Sequence, residues 1–184
     1  MKILKTALVL TLVGILCGAI IGLTNHVTAP IIKRNADKRA QEAYRSFFND
    51  LTEISSNEVE ENSVYLVIDI KKDSEVIGYV YRAKGTNQRG LVDLAVAFDT
   101  EGKIVAVKIL ETENTQGFYD KYVDAANNTL VGLIGDSKDN LNGIDNIGGV
   151  TQTGNLLNEL LKDISALAKT NFTSHVLPKR VVIA

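Results

Sequence analysis

The sequence predicts an α+β domain with a mostly antiparallel sheet and flanking helices, carried behind one N-terminal transmembrane helix. Three observations predict it. Thr6–Asn25 reads TALVLTLVGILCGAIIGLTN, a run without a charge. Between Val64 and Leu110, short β-branched runs alternate with turn residues. From Thr153 onward, Leu156, Leu157, Leu160, Leu161, Ile164 and Leu167 recur at helical spacing.

The apolar run has the length of a membrane helix, since 20 residues at about 1.5 Å each span roughly 30 Å. Gly14, Gly18 and Gly22 share one helical face, where small residues let another transmembrane helix approach. Val27-Thr28-Ala29 resembles a cleavage triplet, but Pro30 follows it. Leu16, not a small residue, precedes Cys17, so a lipoprotein cysteine is not indicated. The segment reads as an uncleaved anchor over residues 1–30.

Pro30 is expected to separate this anchor from an amphipathic helix over Ala36–Asn49, where Ala40, Tyr44, Phe47 and Phe48 share a side. LTEISSNEVEENS then reads as a polar linker, closing a segment of residues 31–62. The folded domain is expected over 63–184. Val64–Ile70 and Val76–Ala83 are candidate strands, the second weakened by Gly78. Leu91–Phe98 and Ile104–Leu110 flank the turn-like Asp99-Thr-Glu-Gly102 and read as a hairpin. Thr115–Asn127 reads as a helix, and Val176–Val182 as an edge strand limited by Pro178.

Charge narrows the function. The chain of 184 residues has a net charge of -2, which hides an asymmetry. Residues 1–45 hold seven Lys/Arg against Asp37 and Glu42, a balance of +5; the remainder is -7. An acidic body on a basic stem argues against nucleic acid as a partner, because that needs a basic footprint on the folded part. Cys17 is the single cysteine, so neither a disulfide framework nor a cysteine-based zinc or iron–sulfur site is expected. His26 and His175 make no metal-binding pair by spacing. Glu111, Glu113 and Asp120 read as a solvated acidic edge.

The informative stretch is Asp145-Asn-Ile-Gly148-Gly149-Val150-Thr151-Gln-Thr153-Gly154. Gly148 and Gly149 permit backbone conformations closed to other residues and let a ligand come close. Thr151 or Thr153 can cap the helix that follows. A helix N-terminus offers free N–H groups and partial positive charge, which favour a phosphate. By itself a Gly-Gly loop before a Thr-capped helix is more often only a helix start. It lacks the ending of a P-loop, and no strand–GxGxxG–helix unit accompanies it.

In order along the chain, several motifs resemble the FMN-binding family that includes the G subunit of the Rnf complex and the C subunit of the sodium-pumping NADH:quinone oxidoreductase. Asn25-His-Val-Thr28-Ala-Pro30 is similar to its Asn-x-x-Thr-x-Pro junction. Gly85–Leu91 and VDLAVAFDTEGKIVAVKIL resemble its glycine-bounded loop and central hairpin. Asn114-Thr115-Gln116-Gly117-Phe118 stands where the family has Glu-Thr-Pro-Gly-Leu/Phe, with Glu113 one residue away. Asp145, Gly149 and Thr151 match the flavinylation motif Asp-x-x-Ser/Thr-Gly-Ala-Thr, while Gly148 and Val150 depart from it.

The resemblance implies a compact FMN-binding domain with FMN joined covalently, through its phosphate, to Thr151 by a flavin transferase. It places Asp145, Gly148, Gly149, Val150 and Thr153 around that link, and Asn114, Thr115 and Gly117 in a segment lining the flavin. It implies an electron carrier in an ion-translocating ferredoxin:NAD oxidoreductase, packed on other integral subunits. It puts the N-terminus inside and the domain outside the bacterial cytoplasmic membrane. A covalent tether also suits an acidic body, whose field would repel free anionic FMN. Two other classes fit the layout: an anchored sensor or pilin-like surface protein without redox chemistry, and a stand-alone extracellular flavoprotein reductase. Against a pilin, the apolar segment has no processing site and no early acidic residue.

Overall fold

The computed structural model describes residues 2–114, 117–133 and 151–174, with only the backbone at 2, 118, 151, 152, 173 and 174. The chain divides into two compact units, Met1–Arg39 and Ala40–Ala184.

Helix α1 spans Lys2–Phe47 and contains Pro30. The break expected at Pro30 does not occur. Proline removes one backbone donor, and ending a helix in an apolar setting would leave several peptide groups unsatisfied. Thr24 and Thr28 turn their hydroxyls onto the carbonyls of Ile20 and Thr24, at 2.8 and 2.9 Å, so neither leaves a polar group open on the apolar surface. Within α1 lies a stretch long and apolar enough to cross a membrane, with none of it buried by the protein.

The second unit is built on a five-stranded antiparallel meander: β1 (Glu53–Glu61), β2 (Val64–Lys72), β3 (Glu75–Asn87), β4 (Gly90–Asp99) and β5 (Ile104–Thr112), hydrogen-bonded in that order. The expected β4–β5 hairpin is present, with Phe98 opposite Ile104. The stretch read as a linker is β1. Its alternation is only half-buried, with Ser55, Asn57 and Val59 partly covered, so a polar composition conceals a strand. Pairing with β2, from Glu53 opposite Lys71 to Glu61 opposite Val64, supplies what hydrophobicity does not. Gly78 does not end β3. A Cβ there would lie 2.4 Å from Phe48 Cζ and 2.7 Å from the Phe98 carbonyl, so glycine lets the Phe48 ring come close to the sheet backbone.

Helices α2 (Phe118–Leu130) and α3 (Thr151–Ser174) cover one face. β4 shows how the faces divide. Val92, Leu94, Val96 and Phe98 join Tyr122, Ala126, Leu130, Leu157, Leu160, Leu161 and Ile164 in the larger core. Ala95 and Ala97, one residue out of phase, face Ala40, Tyr44, Ile68, Ile70 and Val80 in the smaller one. The last turns of α1, from Ala40, therefore cap the second face. Tyr79, Tyr81 and Phe98 of the sheet meet Phe172 of α3 in an aromatic set with centroids 5.3–6.0 Å apart, edge-on for Tyr79–Phe172 and Tyr81–Phe98 and tilted for Phe98–Phe172.

The sheet's two edges are guarded differently. On β5, Asn127 of α2 copies a neighbouring strand: its Oδ1 accepts from Val107 N–H at 2.8 Å and its Nδ2 donates to the Val107 carbonyl at 2.9 Å. Gly132 and Leu133 pair with Ile104 further along. On β1 the guard is charge, in Glu53, Glu58, Glu60 and Glu61.

Candidate functional site

One end of the sheet gathers the turn after β3, the end of β5 and the starts of α2 and α3. The turn is shaped by Asn87, whose Oδ1 accepts from Arg89 N–H at 2.8 Å. The end of β5 is tied to β4 by Glu113: its N–H donates to the Leu91 carbonyl at 3.0 Å, and its Oε2 accepts from Leu91 N–H at 2.9 Å. Glu113 is thus occupied by the backbone, and the residue that turns inward is Asn114.

Asn114 is 6% exposed. Its Oδ1 accepts twice, from Asn87 Nδ2 at 3.3 Å and from Thr153 Oγ1 at 3.2 Å, while its backbone N–H donates to Thr112 Oγ1 at 3.0 Å. This fixes the orientation of the amide. The Nδ2 group is left buried without a hydrogen-bond partner among the described residues. An unpartnered buried donor is costly, on the order of 1–3 kcal/mol, so an acceptor brought to it would be favoured.

Thr151 is the first residue of α3, and Thr153 is buried inside its first turn. The first N–H groups of any helix have no partner within it. Gly117 opens α2 as its N-cap, at φ 88, a left-handed conformation that favours glycine. The end of the sheet therefore combines two helix N-termini with an inward amide donor. Tyr122 joins the two helices by donating its hydroxyl to Asn158 Oδ1, and burial raises the Tyr122 phenol above its ordinary pKa. Beside the start of α3, an open groove of ≈ 290 Å³ is lined by Thr86, Asn87, Gln88, Asn155, Leu156 and Glu159.

Of the residues singled out in the sequence, the structure brings Asn114 and Thr153 into contact and places Gly117 and Thr151 at the two helix starts. Thr115, Asp145, Gly148, Gly149 and Val150 lie outside the described residues, as does Val176–Val182. Thr86, Asn87 and Gln88 fall in the Gly85–Leu91 loop that resembles the family's, but the sequence marks none of them, nor Asn155 or Glu159, as a lining residue. Their signal was the Asn-Gln-Arg-Gly turn between two strands, visible as a turn but not as a lining.

Residues 1–46 match the RnfG N-terminal region, and residues 89–166 match the FMN-binding domain. The chain carries an RnfG-type N-terminal region and an FMN-binding domain. Comparison with curated proteins gives no match. The matched FMN-binding segment runs from β4 into α3, so it holds Asn114, Gly117, Thr151 and Thr153 together. The two matches support a flavin-binding, RnfG-like reading of the chain, and one helix apolar enough to cross a membrane is consistent with it.

The residues of this FMN-binding domain fit such a cofactor. FMN carries an anionic phosphate and a planar ring rich in acceptors. The helix starts suit the former, and the orphaned Asn114 Nδ2 beside the groove suits an acceptor atom of either part.

Proposed function

We propose that this protein is the electron-carrying G-type subunit of an Rnf ion-translocating ferredoxin:NAD oxidoreductase, with FMN joined by a phosphoester to Thr151. The observation that carries it is the position of Thr151. It opens α3, and two residues later Thr153 is bonded to the buried Asn114 amide. A phosphate at Thr151 would lie on the partial positive charge of the helix start. Asp145, Gly148, Gly149 and Val150 precede it in sequence, and Asn114 and Gly117, which flank Thr115 in sequence, would contribute from the end of β5 and the start of α2.

The flavin supplies the redox chemistry, accepting and releasing electrons. The protein's own residues hold and orient it. Asn114 offers a neutral donor that no pH change removes, and its two accepted hydrogen bonds lock its plane. Leu156, half-buried in the groove, gives an apolar contact for a ring. No acid–base pair is required of the protein. The domain would lie outside the cytoplasmic membrane with the N-terminus inside, and α1 would pack on the other integral subunits. Maturation depends on a flavin transferase.

Co-expression with a flavin transferase tests this directly. The wild type should gain the mass of FMN minus water and fluoresce in a denaturing gel. Thr151→Ala should do neither, while Thr153→Ala should still accept the modification at a lower yield. Equal fluorescence from wild type and Thr151→Ala would refute the acceptor.

A further inference from the structure

We infer that Lys33, Arg34, Lys38 and Arg39 form a docking site for anionic phospholipid headgroups in the leaflet on the folded domain's side. The inference rests on reading α1 as a membrane anchor. Spacing comes first. Between Lys5 and Lys33 no Lys, Arg, Asp or Glu occurs, and both residues lie on the same helix. At about 1.5 Å per residue they are about 42 Å apart along the axis, against roughly 40–45 Å for a bilayer measured across both headgroup layers. With Lys5 at one headgroup layer, Lys33 and Arg34 fall at the other. Lys38 and Arg39 follow within about 9 Å, close to one Debye length at physiological salt.

Charge and exposure come second. All four side chains are exposed. Among the described residues, none of them makes a salt bridge, and Asp37, the one acid between Lys33 and Arg39, is not engaged either. The net charge of this short stretch is +3. The four cations spread around the helix instead of lining one side, which suits a ring of mobile headgroups better than one flat protein surface. Juxtamembrane polybasic segments attract anionic lipids in this way, and long basic side chains reach the phosphate layer while their stems stay apolar.

Full-length protein in phosphatidylcholine vesicles, with trace spin-labelled phosphatidylglycerol or phosphatidylcholine, reports the preference as a ratio of lipid association constants. Carbonate extraction of the same vesicles checks that the chain is embedded. For the wild type at low salt the ratio should exceed one severalfold, and it should fall towards one near 1 M salt, where the Debye length is about 3 Å. Lys33→Gln/Arg34→Gln/Lys38→Gln/Arg39→Gln should bring it near one at any salt. Lys2→Gln/Lys5→Gln, at the other end, should retain most of it. An embedded wild type with a ratio near one overturns the proposal, and so does a quadruple variant that keeps the wild-type ratio. If the ratio is near one and the variant instead loses an acidic partner subunit on purification, the site is a protein interface. A chain released by carbonate overturns the anchor, and the lipid site with it, while leaving the flavin assignment standing.

Discussion

The two faces of the sheet are stabilised by different physics, although β4 contributes to both. Towards α2 and α3 it presents Val92, Leu94, Val96 and Phe98, all buried among apolar side chains. Towards the last turns of α1 it presents Ala95, Ala97 and, at its start, a fully buried carboxylate, Asp93. Arg82 meets Asp93 through two hydrogen bonds, one from Nη2 to Oδ2 and one from Nε to Oδ1 at 3.4 Å. Tyr65 donates its hydroxyl to Asp93 Oδ2 at 2.7 Å, and Lys84 Nζ lies 3.9 Å from the same oxygen. The Arg82 and Lys84 cations also lie 5.2 and 4.4 Å from the Tyr65 ring centroid. Burial works against the charge on Arg82, but the hydrogen bond and charge of Asp93 outweigh it and raise its pKa. Burial, then the Asp93 charge, raises the Tyr65 phenol. The lesson is one of tolerance: an apolar face loses stability in proportion to volume removed, whereas a polar face fails when one partner is taken away.

The largest effect follows from that difference. Asp93→Ala should cost about 3–5 kcal/mol in denaturant unfolding, because Arg82 is left desolvated without its counter-charge. Replacing the pair together, Asp93→Leu with Arg82→Met, should recover most of that loss; a double variant as unstable as the single one would show that the cluster does more than neutralise itself. Next in size, Leu94→Ala, one residue along and facing α3, should cost about 2–5 kcal/mol, with no rescue from any charge change.

Alkaline pH sharpens the comparison from the apolar side. Burial pushes Tyr81 from 10.0 up to about 12, against a smaller opposing effect from the Asn171 hydrogen bond. A phenol whose folded pKa is raised contributes stability that is fully present below pH 10 and is lost as pH rises towards 12. The Tyr81 contribution to the unfolding free energy should fall over that window by up to about 3 kcal/mol, and Tyr81→Phe should make the fall shallower without abolishing it, because Tyr65 and Tyr122 are raised too. The smallest expected effect is at the top of the polar face. Tyr44→Phe removes the hydroxyl that accepts from Arg82 Nη1 at 3.3 Å and should cost about 1 kcal/mol.

The sequence made the apolar face legible and left most of the polar one hidden. Leu156 to Leu167 and the alternation in β4 advertise their partners through period alone. β1 carries too few apolar residues to stand out, because an edge strand is held by its neighbour's backbone. Asp93 reads as a solvent-facing residue of an alternating strand; only the fold brings Arg82, Lys84 and Tyr65 around it. At the candidate site, the motif marked Thr151 and Asn114, and the helix start was predictable from Thr151 and Thr153. That Asn114 rather than Glu113 points inward follows from a backbone bond to Leu91, which no local pattern encodes.

The treatment of the sheet's margins has a consequence for life in a crowded bilayer. Molecules confined to a plane collide far more often, and in fewer orientations, than molecules free in solution. A ladder open at its flank would recruit the next copy and stack into ribbons. Here one flank already has a side-chain impostor in the neighbour's place, and the other repels its twin through like charge. Edge-to-edge pairing between identical copies is thereby disfavoured at both flanks.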